Sequence, residues 1–540
     1  MGSEPAPKLG LALSGGGHRA AFFHIGVLGA LAELGLLRKV RVLSTVSGGS
    51  CVGTLYYLHV KRLLEETDDG EISDSSYVEI VEKVACEYRD AAAKNLLAHA
   101  YLNPLKNLKM ALPWYSRTDR AGELLERHFY RQAWNGELVD GRIRMQDLCI
   151  CPGGGSIDPD SDENAKRNGP VPILLLEATS LNTGHNWRFE AKYMGEPPRQ
   201  TDSAVVTDVD KNVLLERTPW PALPEALRDF PLGLAVASSA AFPGGFTPVQ
   251  IRNLYPGYVV ELTDGGVHDN QGVEGLVDRG CTHVILSDGS GQMQDVPKPG
   301  TWIPAVLERV VSVYGDAERE QRLLRAFAEV QWEFFHLQSG LPNATRAPQE
   351  QVVETPSALT TLDFGVAEDV QRGLARVRTN LNAFSELEAW ALAKDGHAIA
   401  SRVARVEGDA AIRALAEPIE EEITWPWDGV DLLEPSSQLR WVLAHGGQQM
   451  LGLFLPLLAL AAAAAVLGGW LLAPHGYVLF GITLGTLLTV ALYLVRPNRV
   501  SAFIYESVMP ALLALPMLLG CAGLWLAGRL WLRRGRVPRG

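Results

Sequence analysis

The sequence predicts an α/β fold with a mostly parallel central sheet, followed by C-terminal membrane-spanning helices. Three observations predict it. Leu11–Ser50 (LALSGGGHRAAFFHIGVLGALAELGLLRKVRVLSTVSGGS) reads as strand, triple-glycine turn, apolar helix, strand and a tight serine turn opening a second helix, which is a βαβ unit. Val171–Thr179 (VPILLLEAT) is a nearly continuous apolar run, as in a strand covered on both faces, and Thr282–Ser287 (THVILS) continues the alternation. After Trp441 come three runs, 450–473, 476–495 and 509–528, without Asp, Glu, Lys or Arg. Each is about long enough to cross a hydrocarbon core of ~30 Å at ~1.5 Å per residue.

Composition bounds the classes open to the chain. Its 540 residues can bury a large core in more than one domain. A net charge of −13 gives no broad nucleic-acid footprint. Mean hydropathy is +0.03, slightly apolar for a soluble enzyme, and the excess is concentrated after Arg440. Met1–Lys8 is short and polar, without the basic, apolar and cleavable pattern of a secretion signal, so the N-terminal domain is expected in the cytosol. The six cysteines, including the isolated Cys149-Ile150-Cys151, lack paired spacing and are expected as free thiols in a reducing compartment.

The first βαβ unit carries the chemistry. Ser14-Gly15-Gly16-Gly17 precedes the helix Ala20–Leu34; Val40–Leu43 is the next strand, and Ser47-Gly48-Gly49 leads into a helix from about Cys51. Ligands of open α/β sheets bind where strands end, so both turns face one crevice. Thr45-Val46-Ser47-Gly48-Gly49 fits the nucleophile elbow G-x-S-x-G with one departure, threonine at the first glycine. Without Cβ atoms, Gly15, Gly16 and Gly17 can converge their N–H groups on a developing oxyanion. The positive end of the following helix points the same way. A phosphate cradle is disfavoured, because neither G-x-G-x-x-G nor a P-loop ending is present.

Taken together, these turns resemble the patatin-like phospholipases, lipid acyl hydrolases that include relatives of cytosolic phospholipase A2. SGGGHRA is similar to that family's G-G-G-x-R oxyanion motif, with Arg19 in the arginine position, and TVSGGS is similar to its nucleophile motif. The resemblance implies a patatin-like three-layer α/β/α domain working through a Ser–Asp dyad. It runs discontinuously from about Leu9 to about Ala400.

Along the rest of the chain, Thr67–Ser76 is an acidic connection and Tyr77–Ala100 a helix. Leu102–Pro113 mixes apolar residues with Lys106 and Lys109; through Trp114 and Tyr115 it reads either as a contact to lipid headgroups or as a plain lid. Gly153–Pro170 has loop composition. Asn182–Gly184 reads as a turn, Trp187–Ala191 as a hairpin partner, and Leu232–Ala241 as a buried helix of small residues ended by Phe242-Pro243-Gly244-Gly245.

In Val259–Gly272 (VVELTDGGVHDNQG) a β-type run ends at Asp264, where a base is held rigidly at a strand terminus. The resemblance makes Asp264 the base, through the family's Asp-Gly-Gly or Asp-Gly-Ala motif. Asp288 competes locally but reads as the cap of a strand end, and Asp269-Asn270 as an Asx-type turn. His268 leaves a Ser-His-Asp triad conceivable. His18 and His24 read as packing or surface residues. Arg19 has three open roles: orienting the loop, meeting a lipid phosphate, or a structural salt bridge.

Trp302–Gln338 reads as long helical material and Ser339–Thr361 as a polar loop. Arg378–Ala393 reads as a capped helix with Ser385 as N-cap and Glu388 three positions on. The domain expectation is therefore a catalytic domain over 1–400, a charged connector over 401–439, a transmembrane region over 440–530 and a basic tail over 531–540. Arg440, Arg496 and Arg499 favour a cytosolic catalytic domain under the positive-inside rule. Five arginines from Arg529 to Arg539 also favour the cytosol, so either the tail is an exception or 509–528, with Pro510 and Pro516, dips in and returns.

The resulting expectation is an integral membrane serine acyl hydrolase, its cytosolic Ser47 attacking a glycerolipid ester with Asp264 as base. Gly15, Gly16 and Gly17 would supply the oxyanion hole. No cofactor or metal is called for; H-E-x-x-H and an EF-hand loop are both missing. Expected partners are a membrane phospholipid or other glycerolipid and the bilayer, not nucleic acid. Two other classes stay open: a non-catalytic lipid-binding or scaffolding protein, to which Thr45 points, and a transport component, against which the lack of ionisable residues inside the spans argues.

Overall fold

A computed structural model describes residues 7–446 except 97–98, 101–102, 111, 113–114, 199–209, 244, 292, 294–295, 297, 302, 342–361, 363 and 403–408. The runs 450–473, 476–495 and 509–528 and the basic tail lie outside the described residues. Among the described residues no helix is long and apolar enough to cross a membrane.

β1 (Leu9–Leu13) is buried at every position and leads through the glycine turn into α1 (Gly17–Glu33). All of α1 except Glu33 is buried, as its apolar composition on every side requires of a helix enclosed by others. β2 (Val40–Val46), α2 (Gly48–Glu66) and α3 (Asp74–Ala92) follow, α3 opened by a Ser73–Ser76 capping box. Two shorter helices come next, α4 (Pro104–Lys109) and α5 (Arg117–Leu125).

β3 (Ile173–Ser180) and β4 (Asn186–Phe189) form the expected hairpin, extended by β5 (Tyr193–Gly195) and β6 (Thr218–Pro219). The small-residue helix α6 (Leu232–Ser239) precedes the antiparallel pair β7 (Val249–Arg252) and β8 (Val259–Asp264). After them come α7 (Val273–Asp278), β9 (His283–Asp288), α8 (Ile303–Glu329) and β10 (Gln331–His336). The chain then adds α9 (Glu368–Leu374), α10 (Glu386–Arg402) and α11 (Ser437–Gly446).

The strands make one ten-stranded sheet in the order β10-β9-β1-β2-β3-β4-β5-β6, with β8 pairing β3 and β7. From β10 to β3 every pairing is parallel. Alternate side chains feed two cores: Leu9, Leu11 and Leu13 point into the large cluster with α1, while Ala12, Val42, Leu175 and Leu286 point into a smaller one under α7 and α8. That is a three-layer α/β/α arrangement.

Two stretches differ from the sequence reading. Trp302–Gln338 is not helical throughout: its last part is the edge strand β10, in which Gln331, Glu333 and His336 are mixed with three aromatics. Much of 401–439, read as a connector, is packed on the domain. Trp425 and Trp427 stack at 4.9 Å, Trp427 is fully buried, and the Trp425 indole N–H donates to Glu33 at 2.7 Å.

Candidate active site

The sheet brings Ser47 and Asp264 together by a head-on meeting of two strands. β2 runs beside β3 until Val46 lies opposite Glu177. β8 arrives from the other direction along that same side of β3, and its last residue, Asp264, lies opposite Ala178. Both strands therefore end at neighbouring positions of one lane. Ser47 Oγ donates to Asp264 Oδ2 at 2.8 Å.

Ser47 itself is strained, with φ +51° and ψ −113° between β2 and the first residue of α2. Only glycine can follow it: a Cβ on Gly48 would lie 2.1 Å from the Gly17 carbonyl. The threonine departure has a local answer. A Cβ on Gly53, one turn along α2, would lie 2.5 Å from Thr45 Cγ2, so the close passage of strand and helix is provided from the helix side. Thr45 also belongs to a chain of hydroxyls that sequence reasoning did not assign. Thr45 Oγ1 donates to the Leu175 carbonyl and accepts from Ser50 Oγ, which bonds Ser239 Oγ, the acceptor for the Ser47 N–H. Serines in the otherwise apolar α6 were the available signal.

Asp264 is buried, and burial pushes its carboxyl up from 3.8 to about 6, partly opposed by the Gly266 N–H and the Ser47 hydroxyl. Its second oxygen accepts from Gly266 N–H at 2.8 Å, and Thr179 Oγ1 fixes its backbone carbonyl. A carboxylate held this way can take a proton from Ser47 without moving.

The glycine turn needs one correction. The Gly15 N–H donates to the Asn270 carbonyl at 2.9 Å, which withdraws it from the expected oxyanion donors. Its lack of a Cβ serves close packing instead, since that atom would meet Asn270 Oδ1 at 2.2 Å. The N–H groups of Gly16 and Gly17 have no acceptor among the described residues. Gly17 N lies against Gly48, next to the serine.

Arg19 is buried and, among the described residues, bonds neither Ser47 nor Asp264. Its guanidinium donates to the carbonyls of Gly289, Ser290, Ala375 and Val377, tying the start of α1 to two loops. Burial lowers its pKa to about 10, against the raising influence of Asp288. Of the three open roles, orientation of the loop matches this geometry.

The competing groups are occupied elsewhere. His268 places Nδ1 on the Gly184 carbonyl and Nε2 on Glu274, with Arg322 alongside, and bonds neither Ser47 nor Asp264 among the described residues. Asp288 accepts from Gln271 and from the Ser290 N–H. Asp269 caps the turn into α7 through Gln271, Gly272 and Glu274 N–H groups. His18 bonds Tyr88 and His24 bonds Ser287 and the Ser14 carbonyl; burial lowers their pKa values to about 3 and about 4, so both are neutral near pH 7. Among the described residues no group of His, Cys, Asp and Glu could hold a metal.

The family model for patatin-like phospholipase matches residues 11–277, from β1 through most of α7. Residues 11–277 form a patatin-like phospholipase domain. No curated protein sequence matches the chain. Among solved structures, the chain is similar to human GIVD cytosolic phospholipase A2 in complex with methyl gamma-linolenyl fluorophosphonate inhibitor and terbium chloride. Identity is 15% over 76% of this chain and 59% of that one, with a TM-score of 0.37. It therefore spans about three fifths of that phospholipase. It is also similar to VipD from Legionella pneumophila, at 12% identity over 100% of this chain and 93% of that one, with a TM-score of 0.29. The patatin-like domain holds Ser47, Asp264 and the glycine turn, whereas α8, β10 and the carbonyls of Ala375 and Val377 that clamp Arg19 lie beyond it.

Proposed function

We propose that this chain is a membrane-anchored serine lipid acyl hydrolase that cleaves glycerolipid esters through a Ser47–Asp264 dyad. The observation that carries this reading is the 2.8 Å hydrogen bond from the strained elbow serine to a buried carboxylate. Ser47 Oγ attacks the ester carbonyl as its proton passes to Asp264 Oδ2. The oxyanion of the tetrahedral intermediate is met by the N–H groups of Gly16 and Gly17, which have no acceptor among the described residues, each such donor contributing about 2.7–4 kcal/mol. Collapse returns the proton to the leaving alcohol and leaves an acyl-Ser47 ester. Water, deprotonated by Asp264, then releases the fatty acid.

Thr45 gives no support to a non-catalytic reading, because Gly53 supplies the space that the first elbow glycine would. The charge-free runs after residue 449 serve as the anchor, with the catalytic domain on the cytosolic side. A fluorophosphonate probe tests the nucleophile: it labels the wild-type chain at Ser47, and Ser47→Ala loses both labelling and ester hydrolysis. Labelling that persists at another serine moves the active site elsewhere.

A further inference from the structure

We infer that the edge of the domain bearing Ser47 carries two apolar prongs, the first half of α8 and the helix α4, that seat it on an anionic phospholipid bilayer. The inference deepens the lipid-hydrolase reading, which gives the docking its purpose.

α8 is too long for the sheet it serves. Its neighbours β9 and β10 have six residues each, roughly 20 Å, whereas its 27 residues span roughly 40 Å. Arg322 sets α8 beside the catalytic end of the sheet, since it pairs with Glu274 in the first turn of α7. Arg319 and Asp316 are still partly buried, so the free arm is the helix N-terminal to Asp316, roughly 20 Å long.

On this arm Val306, Leu307, Val310, Val311, Val313 and Tyr314 are all exposed, Val311 at 71% and Tyr314 at 75%. At 3.6 residues per turn these six fall within an arc of roughly 160°, with Arg309, Ser312 and Asp316 outside it. An apolar face this wide, presented to water on a projecting helix, is the pattern of an element that lies in a membrane interface.

The second prong belongs to the other helical layer, where Lys106 of α4 pairs with Glu123 of α5. α3 ascends to the catalytic end, where Tyr88 meets His18, and α4 follows it. Leu105 and Leu108 of α4 are 78% and 71% exposed, and Lys106 and Lys109 share their turn. Phe242 and Val267 are also exposed, close to Asp264 in the fold.

Charge selects the kind of bilayer. In a chain of net charge −13, residues 94–131 contain seven lysines and arginines against three carboxylates. Apolar side chains interleaved with basic ones favour a surface of anionic headgroups.

The test uses the full chain carrying Ser47→Ala, with an NBD fluorophore on Leu105→Cys or Val311→Cys, and Glu163→Cys at the opposite end as control. In mixed phosphatidylglycerol–phosphatidylcholine bilayers, NBD at 105 and 311 should shift blue and be quenched by spin-labelled acyl chains, while 163 is unaffected. Quenching should weaken in pure phosphatidylcholine; equal quenching there overturns the anionic preference. Unquenched labels at 105 and 311 overturn the docking. So does a shift without lipid, whether it grows with protein concentration (a second copy covers the face) or does not (the chain's own 447–540 segment covers it). In the Ser47 background, Leu105→Asp with Val311→Asp should slow hydrolysis of bilayer phospholipid on the order of tenfold and leave a dispersed short-chain ester within about twofold. If the Ser47 chain cleaves neither substrate, the hydrolase reading fails, and the fluorophores still decide the docking.

Discussion

Desolvation sets the working range of Asp264. Its carboxyl is raised to about 6, so the ionised base forms across neutral rather than acidic pH. Hydrolysis should rise with pH through about 6 and level off above it. His268→Ala should keep most of the activity and the same acid limb, because its ring bonds Gly184 and Glu274 rather than the dyad. Loss of that limb in His268→Ala would restore the triad. The same shift has a stability consequence with a fixed sign. A carboxyl whose folded pKa is raised favours the fold in its protonated form, a contribution fully present below about 3.8 and lost as pH rises through about 6. Keeping Asp264 ionised above that range opposes folding by roughly 3 kcal/mol, taking 1.36 kcal/mol per pKa unit. Asp264→Asn should thus be inactive yet harder to melt at pH 8 than the wild type, with the gap narrowing toward pH 4. Calorimetry at the two pH values measures it.

The elbow is an element in which one substitution is balanced one turn away. Gly53→Ala would drive a methyl toward Thr45 Cγ2, and overpacking of this kind costs about 1–3 kcal/mol. In a Thr45→Gly background the clash is gone, and alanine should then be neutral or favourable in the helix by up to about 1 kcal/mol. A double-mutant cycle read by denaturant unfolding checks this; additive effects would show that the two sites do not share the space. The elbow was legible in the sequence because small residues and a serine recur at local spacing. Gly15 was misjudged for the opposite reason: the acceptor of its N–H, Asn270, comes from a distant turn that no local pattern announces. β10 escaped because QWEFFH follows a long helix directly and mixes polar with aromatic residues, as an edge strand does. Arg19 was legible as a motif residue, while its direction depended on carbonyls some 270 and 356 positions away.

At the scale of the whole molecule, the domain extends past the residues that bear its motifs. Leu439, Val442 and Leu443 of α11 are buried, as are Trp425 and Trp427 before it. A chain ended after Gly446 should be folded and cleave dispersed short-chain esters at the full-length rate, while acting more slowly on bilayer lipid. One ended at Pro435 should be less stable by several kcal/mol, at roughly 1.5–3 kcal/mol for each buried side chain lost. Unfolding of both variants by urea separates the cases. The head-on meeting of β2 and β8 also bears on how the protein is made. The serine leaves the ribosome 217 residues before its base. At about 5–20 residues per second, that is an interval of roughly 10–40 s. Throughout it the nascent chain holds Ser47 without Asp264, so under the proposed dyad neither it nor a product terminated before Asp264 can hydrolyse an ester.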